Sequence, residues 1–240
     1  MNNPIYKPKG RAAEYGEYAI NIYTGCPHKC FYCYAPSVLR KDKEEFHSHI
    51  EPRKGIVEAV KKQLDNSGMM GKIIHLCFTV DPYPIGYDSV PTREVIKAIK
   101  ESGNHVQLLT KNGKDATRDF DLFDSGDWFG VTYAGYPNIA DGISPDEPGA
   151  GEPRGRLYAL KAAKEKGIKT WVSCEPVLNT DDVLYLIEKA DYIDLFKIGL
   201  LNYYPSIINW GDFGSRCERL CKVKGRNYYI KEDLRAEMEV

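Results

Sequence analysis

The sequence predicts an α/β fold built on a parallel sheet. Three observations carry that expectation: short apolar runs alternate with segments of helical period, the runs are too short to be helices, and each ends on a polar residue. The first run, Ala19-Ile20-Asn21-Ile22-Tyr23-Thr24, stops at Gly25 and reads as strand one. Residues 54–64 set Ile56, Val57, Val60 and Leu64 at helical spacing, and Asn66-Ser67-Gly68 ends that helix. Residues 73–80 form a second strand, bounded by Asp81-Pro82. The alternation then repeats with a helix over 92–101, a strand over 106–110, a short helix over 117–123 and a strand over 128–133. It repeats again with a helix over 154–166, a strand over 170–174, a helix over 181–189 and a strand over 193–198. Six strands joined by five helices imply parallel pairing through right-handed crossovers.

Periodicity alone leaves a full or partial barrel and a doubly wound sheet both open. In either, the site lies at the carboxyl ends of the strands. Those ends carry the cysteine loop after strand one, Thr79 and Asp81 after strand two, Lys111, Thr132 with Tyr133, Glu175 and Lys197. Residues 141–153, rich in Gly, Pro and Asp, are expected to form a loop on the same face.

A chain of 240 residues, 42% hydrophobic and 28% charged, fits one folded domain: residues 1–17 as an N-terminal segment, 18–200 as the core and 201–240 as an extension. The polar N-terminus lacks an apolar core of the signal-peptide kind, and no run suits a membrane span, so a cytoplasmic protein is expected. Seven cysteines, an odd number, then point to metal binding or catalysis rather than to a disulfide scaffold. A net charge of -1 gives no global footprint for nucleic acid. The basic stretch Arg216, Arg219, Lys222, Lys224 and Arg226, followed by Tyr228-Tyr229, reads as a solvated helix face before an edge strand, with Cys217 and Cys221 as packed thiols.

Cys26-Pro27-His28-Lys29-Cys30-Phe31-Tyr32-Cys33 presents three thiolates within eight residues. A structural zinc site wants four protein ligands, and His28, His47 or His49 could supply the fourth; three thiolates on a cubane cluster instead leave one iron open to an exogenous ligand. The CxxxCxxC spacing after strand one, with an aromatic residue before the last cysteine, resembles the signature of the radical S-adenosylmethionine (SAM) superfamily. That resemblance implies a 4Fe-4S cluster on Cys26, Cys30 and Cys33, SAM as second cofactor, and reductive cleavage of SAM to a 5'-deoxyadenosyl radical that abstracts hydrogen from a substrate. It also implies a partial (β/α)6 TIM-like barrel and a reductant such as flavodoxin or ferredoxin.

Tyr23-Thr24-Gly25-Cys26-Pro27-His28, Cys33-Tyr34-Ala35, Thr79-Val80-Asp81-Pro82-Tyr83 and Leu109-Thr110-Lys111 are similar to the subfamily of spore photoproduct lyase and its DNA-repair-photolyase-like relatives. By that resemblance, Thr79 and Asp81 hold the methionine or ribose part of SAM, Lys111 its carboxylate and Tyr32 its adenine, with Thr132 and Glu175 in the same pocket. The lyase donates hydrogen from a cysteine near the end of strand two, which makes Cys77 the catalytic candidate here and Cys174 the alternative. Cys77 stands one residue further from Asp81 than expected, a spacing that strand alternation would turn to the opposite face. The substrate implied is a nucleic acid or nucleotide. The alternatives are an activase or peptide-modifying enzyme acting on a partner protein and, outside enzymes, a non-catalytic zinc-binding module.

Overall fold

The computed structural model describes residues 3–136 and 144–239. Seven parallel strands lie side by side in chain order, β1 (Tyr18–Ile20), β2 (Ile73–Leu76), β3 (His105–Thr110), β4 (Trp128–Thr132), β5 (Lys169–Cys174), β6 (Leu195–Ile198) and β7 (Tyr228–Ile230). The helices are α1 (Ala35–Leu39), α2 (Lys43–Ser48), α3 (Ile56–Ser67), α4 (Val90–Glu101), α5 (Gly113–Ala116), α6 (Pro153–Glu165), α7 (Thr180–Lys189), α8 (Trp210–Lys224) and α9 (Glu232–Met238). Short 3-10 helices cover Gly10–Glu14 and Thr117–Leu122. The sheet curls into the expected partial barrel, with one strand more than the six read from the sequence. That seventh strand is the three-residue edge strand at Tyr228-Tyr229-Ile230, so the sheet continues past residue 200.

Alternation along the strands sorts the two faces. Val106, Leu108, Val131, Val172, Phe196 and Ile198 are buried in the apolar core, which the apolar stripes of the helices complete. The other set lines the concave side, where Lys197 lies over the rings of Tyr15 and Trp171, and the Tyr15 hydroxyl meets Ser173 Oγ at 2.9 Å. Trp171 reaches across β4 to donate its indole N–H to the Leu108 carbonyl at 3.0 Å. Gly130 makes that crossing possible, because a Cβ there would sit 2.2 Å from the indole.

Two strands end earlier than expected, for identifiable reasons. Strand one, read as 19–24, pairs with β2 only through Ile20. Beyond it, Tyr23 pairs antiparallel with Pro52, Thr24 donates to the Glu51 carbonyl at 2.9 Å and Arg53 N–H donates to the Ile22 carbonyl at 2.8 Å. Strand two, read as 73–80, stops at Leu76 because the Asn21 side-chain oxygen captures the N–H groups of Phe78 and Thr79, both at 2.9 Å. A side chain one strand away thus replaces the ladder. The loop expected over 141–153 is described from Ser144, and residues 141–143 lie outside the described residues.

Candidate cofactor site

Residues 24–34 follow β1 as a loop that two neighbouring segments hold in place. Cys26 N–H donates to the Phe46 carbonyl of α2 at 3.1 Å, and His47 Nδ1 lies 2.8 Å from the Cys26 carbonyl. A carbonyl only accepts, so this histidine nitrogen carries the proton. From the other side, Phe31 N–H donates to the Asp146 carbonyl and Gly149 N–H to the His28 carbonyl, each at 3.0 Å. Within the loop, Lys29 adopts φ 51°, in the left-handed region that bulky residues avoid.

All three cysteines of the loop are free thiols; Cys30 is buried, and Cys26 and Cys33 are half-buried. Burial pushes Cys30 up to about 12, opposed by Lys111, and raises Cys26, where Asp81 adds to the effect. Thiols held neutral this way lose their protons only to a bound cation, which is how metal binding and deprotonation are linked.

The ends of β2 and β3 converge on this loop through Asp81. Its Oδ1 accepts from Tyr83 N–H at 2.9 Å and Thr110 Oγ1 at 2.6 Å, and its Oδ2 accepts from Lys111 N–H at 2.7 Å and stands 3.5 Å from His28 Nδ1. Burial pushes His28 down to about 4, against the pull of Asp81, so the ring is neutral. Lys111 extends its ammonium over the Tyr32 ring, 5.7 Å from the centroid, and has no carboxylate partner among the described residues. Thr79 Oγ1 is buried without a hydrogen-bond partner. A free ammonium, an orphaned hydroxyl and an aromatic face beside three thiols are what a cluster with a zwitterionic, purine-bearing ligand would use.

Other expected residues are placed differently. Thr132 is buried at the end of β4, where Arg156 Nη1 donates to its carbonyl at 3.1 Å. Glu175 lies over Gly199 and accepts from Asn202 Nδ2 at 3.0 Å, from the Tyr15 hydroxyl at 2.9 Å and from Lys231 Nζ; none of these bonds reaches the cysteine loop. Cys77 is enclosed by core side chains and accepts from the Ile22 backbone, with its thiol pushed up to about 12 by burial. Because β2 ends at Leu76, the strand alternation invoked to orient Cys77 does not extend to it. Cys174 is also fully buried, as are Cys217 and Cys221 on α8.

Three contributors escaped the sequence reading. Tyr204, from the segment after β6, donates to the Phe31 carbonyl at 2.7 Å and packs edge-on against its ring. Glu147 and Arg156 form a wholly buried ion pair at 2.5 Å beside Tyr32. Arg156 carried a legible signal: with Ala159, Leu160 and Ala163 it shares the buried stripe of α6, where a charge is out of pattern.

Comparison with known proteins places the chain in a family. The family model for the radical SAM superfamily matches residues 20–178. An uncharacterized protein of Methanocaldococcus jannaschii is 30% identical over 197 residues, covering 79% of this chain and 72% of the relative. A mutant spore photoproduct lyase with bound AdoMet and dinucleoside spore photoproduct superposes with a TM-score of 0.69 at 15% identity, covering 95% of this chain and 78% of that one. Streptococcus suis SuiB bound to precursor peptide SuiA gives 0.63 at 12% identity, covering 92% and 50%.

Proposed function

Because the chain belongs to the radical SAM superfamily, enzymes whose cofactors are a 4Fe-4S cluster and SAM, we propose that Cys26, Cys30 and Cys33 hold the cluster and leave its fourth iron to SAM. The observation that carries this reading is that one short loop holds three free thiols around Tyr32, with the Lys111 ammonium, unpaired among the described residues, lying over the Tyr32 ring. When bound, the cluster and SAM supply reductive cleavage of the sulfonium and a 5'-deoxyadenosyl radical able to abstract hydrogen.

The chain's own residues divide the remaining work. Lys111 pairs with the SAM carboxylate, Thr79 takes a polar group of the methionine or ribose part, and Tyr32 offers its ring to the adenine. Asp81 acts one step removed, holding the Lys111 backbone and facing His28. Thr132 closes the β4 side of the pocket, while Glu175 faces the substrate side of the concave surface, beside Tyr15 and Lys231. Cys77 remains the candidate hydrogen donor, and product formation by Cys77→Ala tests that role. The half-buried cluster loop gives water little access and leaves an edge for a reductant of the flavodoxin or ferredoxin type, in keeping with a cytoplasmic enzyme.

The substrate proposed is a nucleic acid or nucleotide, supported by the likeness to the lyase seen with its dinucleoside photoproduct. The deciding experiment is anaerobic reconstitution with iron and sulfide, dithionite reduction with SAM and chromatography for 5'-deoxyadenosine, with Cys30→Ala as control. Wild-type product absent from the variant is expected; zinc content with intact SAM would refute the reading. For the substrate, salt-sensitive binding of DNA supports the proposal through counterion release. Salt-insensitive binding of one protein partner would instead indicate peptide modification.

A further inference from the structure

Glu147 and Arg156 bond directly to two of the expected cofactor residues, Tyr32 and Thr132, and reach a third, Lys111, through Gly151. Glu147 accepts from the Tyr32 hydroxyl, from the Tyr136 hydroxyl at 2.5 Å and from Arg156 Nη2 at 2.5 Å. Arg156 donates further to the Thr132 carbonyl at 3.1 Å, the Tyr136 hydroxyl at 2.8 Å and the Gly151 carbonyl at 3.0 Å. Gly151 in turn donates its N–H to the Lys111 carbonyl at 2.9 Å. The segment bearing Glu147 also lies hard against the cysteine loop: a Cβ at Gly149 would come within 2.2 Å of the Pro27 carbonyl.

Burying two charges is an inefficient route to stability, since desolvation offsets most of their attraction and apolar side chains could fill the space. What the pair supplies is orientation. It ties the cysteine loop, the end of β3 and the end of β4 to one rigid point, with donors and acceptors matched on every side. We propose that Glu147 and Arg156 are positioning residues that fix the cysteine loop against the SAM-binding strand ends and set the electrostatic field at the cluster. This rests on the cluster assignment above. The field follows from the same geometry, because Glu147 bonds to Tyr32, which lies between Cys30 and Cys33 in the cysteine loop.

The test uses the anaerobically reconstituted protein and two readouts besides activity: the cluster midpoint potential by EPR-monitored titration, and the rate of iron release to a chelator. Glu147→Gln leaves a buried positive charge, whereas Arg156→Met removes that charge and leaves Glu147 neutral or negative. The expected order of potentials is therefore Glu147→Gln above both wild type and Arg156→Met, with iron lost about tenfold faster or more from both variants. Tyr32→Phe removes only the hydroxyl link and should speed iron loss while keeping the pair. Leu234→Ala in α9, a packing defect remote from the loop, controls for general destabilisation and should leave both readouts unchanged. Equal potentials, the reverse order, or iron loss no faster than in the Leu234 control overturns the proposal. Wild-type protein that takes up no iron and sulfide refutes the cluster assignment itself, and the positioning role falls with it.

Discussion

Asp81→Asn separates two roles that this carboxylate could play. The family resemblance implies a direct contact with SAM, whereas the structure occupies both carboxylate oxygens with protein donors: Tyr83 N–H and Thr110 Oγ1 on one, Lys111 N–H on the other. An amide can present its oxygen to only one of these sides. Whichever way it turns, a buried backbone N–H, that of Lys111 or of Tyr83, faces an NH2 group and loses its acceptor. Losing one charge-assisted bond and leaving one buried donor unsatisfied costs about 3 kcal/mol. For a chain of this size, each kcal/mol moves the midpoint by roughly 2–4 °C. The apo-protein midpoint should therefore fall by roughly 6–12 °C, read by calorimetry or by circular dichroism. SAM binding to the reconstituted variant should weaken as well, because Lys111 loses its backbone anchor. A variant that melts within ~2 °C of wild type yet binds SAM poorly would refute this reasoning and make Asp81 a direct ligand.

Lys111→Met should leave the apo midpoint nearly unchanged, since its ammonium has no ion pair among the described residues, while weakening SAM binding by about tenfold to a hundredfold, the worth of a charge-assisted bond. Equilibrium titration of the reconstituted protein measures it, and unaltered affinity would remove Lys111 from the pocket. Gly149→Ala should lower the midpoint and speed iron release, because its Cβ meets the Pro27 carbonyl; Gly155→Ala, with open space around it, serves as the matched control. Burial raises the Cys77 thiol from 9.0 to about 12, so its contribution to stability is fully present below pH 9 and is lost as the pH rises towards 12. Under reducing conditions, Cys77→Val should therefore flatten the alkaline loss of stability, comparing urea midpoints at about pH 8 and pH 10.5; parallel profiles would refute the assignment.

The fold was legible where the chemistry is local and repetitive. Apolar runs of four to six residues, broken by segments of helical period, can bury both faces only as parallel strands beneath helices; β3 and β4 end on the polar Thr110 and Thr132, whereas β1 and β2 stop at Ile20 and Leu76, short of the polar residues expected at their ends. What stayed hidden depends on contacts distant in sequence. The early end of β2 is caused by Asn21, which nothing in residues 73–80 reveals. Likewise, α1 and α2 have five and six residues, too short for a periodic signal, and α2 is held by the Asp42 cap and its packing beneath the cysteine loop. The edge strand read at Tyr228-Tyr229 does form, as β7, and what its sequence does not reveal is its parallel register on β6.

At the site, residue type alone could not separate ligands from scaffold. Thr79, Asp81, Lys111 and Glu175 all read as polar groups at strand ends, equally suited to bind a cofactor. The structure distinguishes them by what remains unsatisfied. Asp81 and Glu175 already accept from backbone, hydroxyl and ammonium donors, and Lys197 gives its ammonium to the carbonyls of Glu14 and Tyr15. Among the described residues, Thr79 Oγ1 has no partner and Lys111 Nζ lies over an aromatic face without an ion pair. A buried polar group without a partner costs stability, and a fold retains it where a bound molecule supplies what is missing. On that criterion, the proposed cofactor recognition belongs to Thr79 and Lys111 at the ends of β2 and β3, whereas the groups around Glu175 are already satisfied by Tyr15, Asn202 and Lys231.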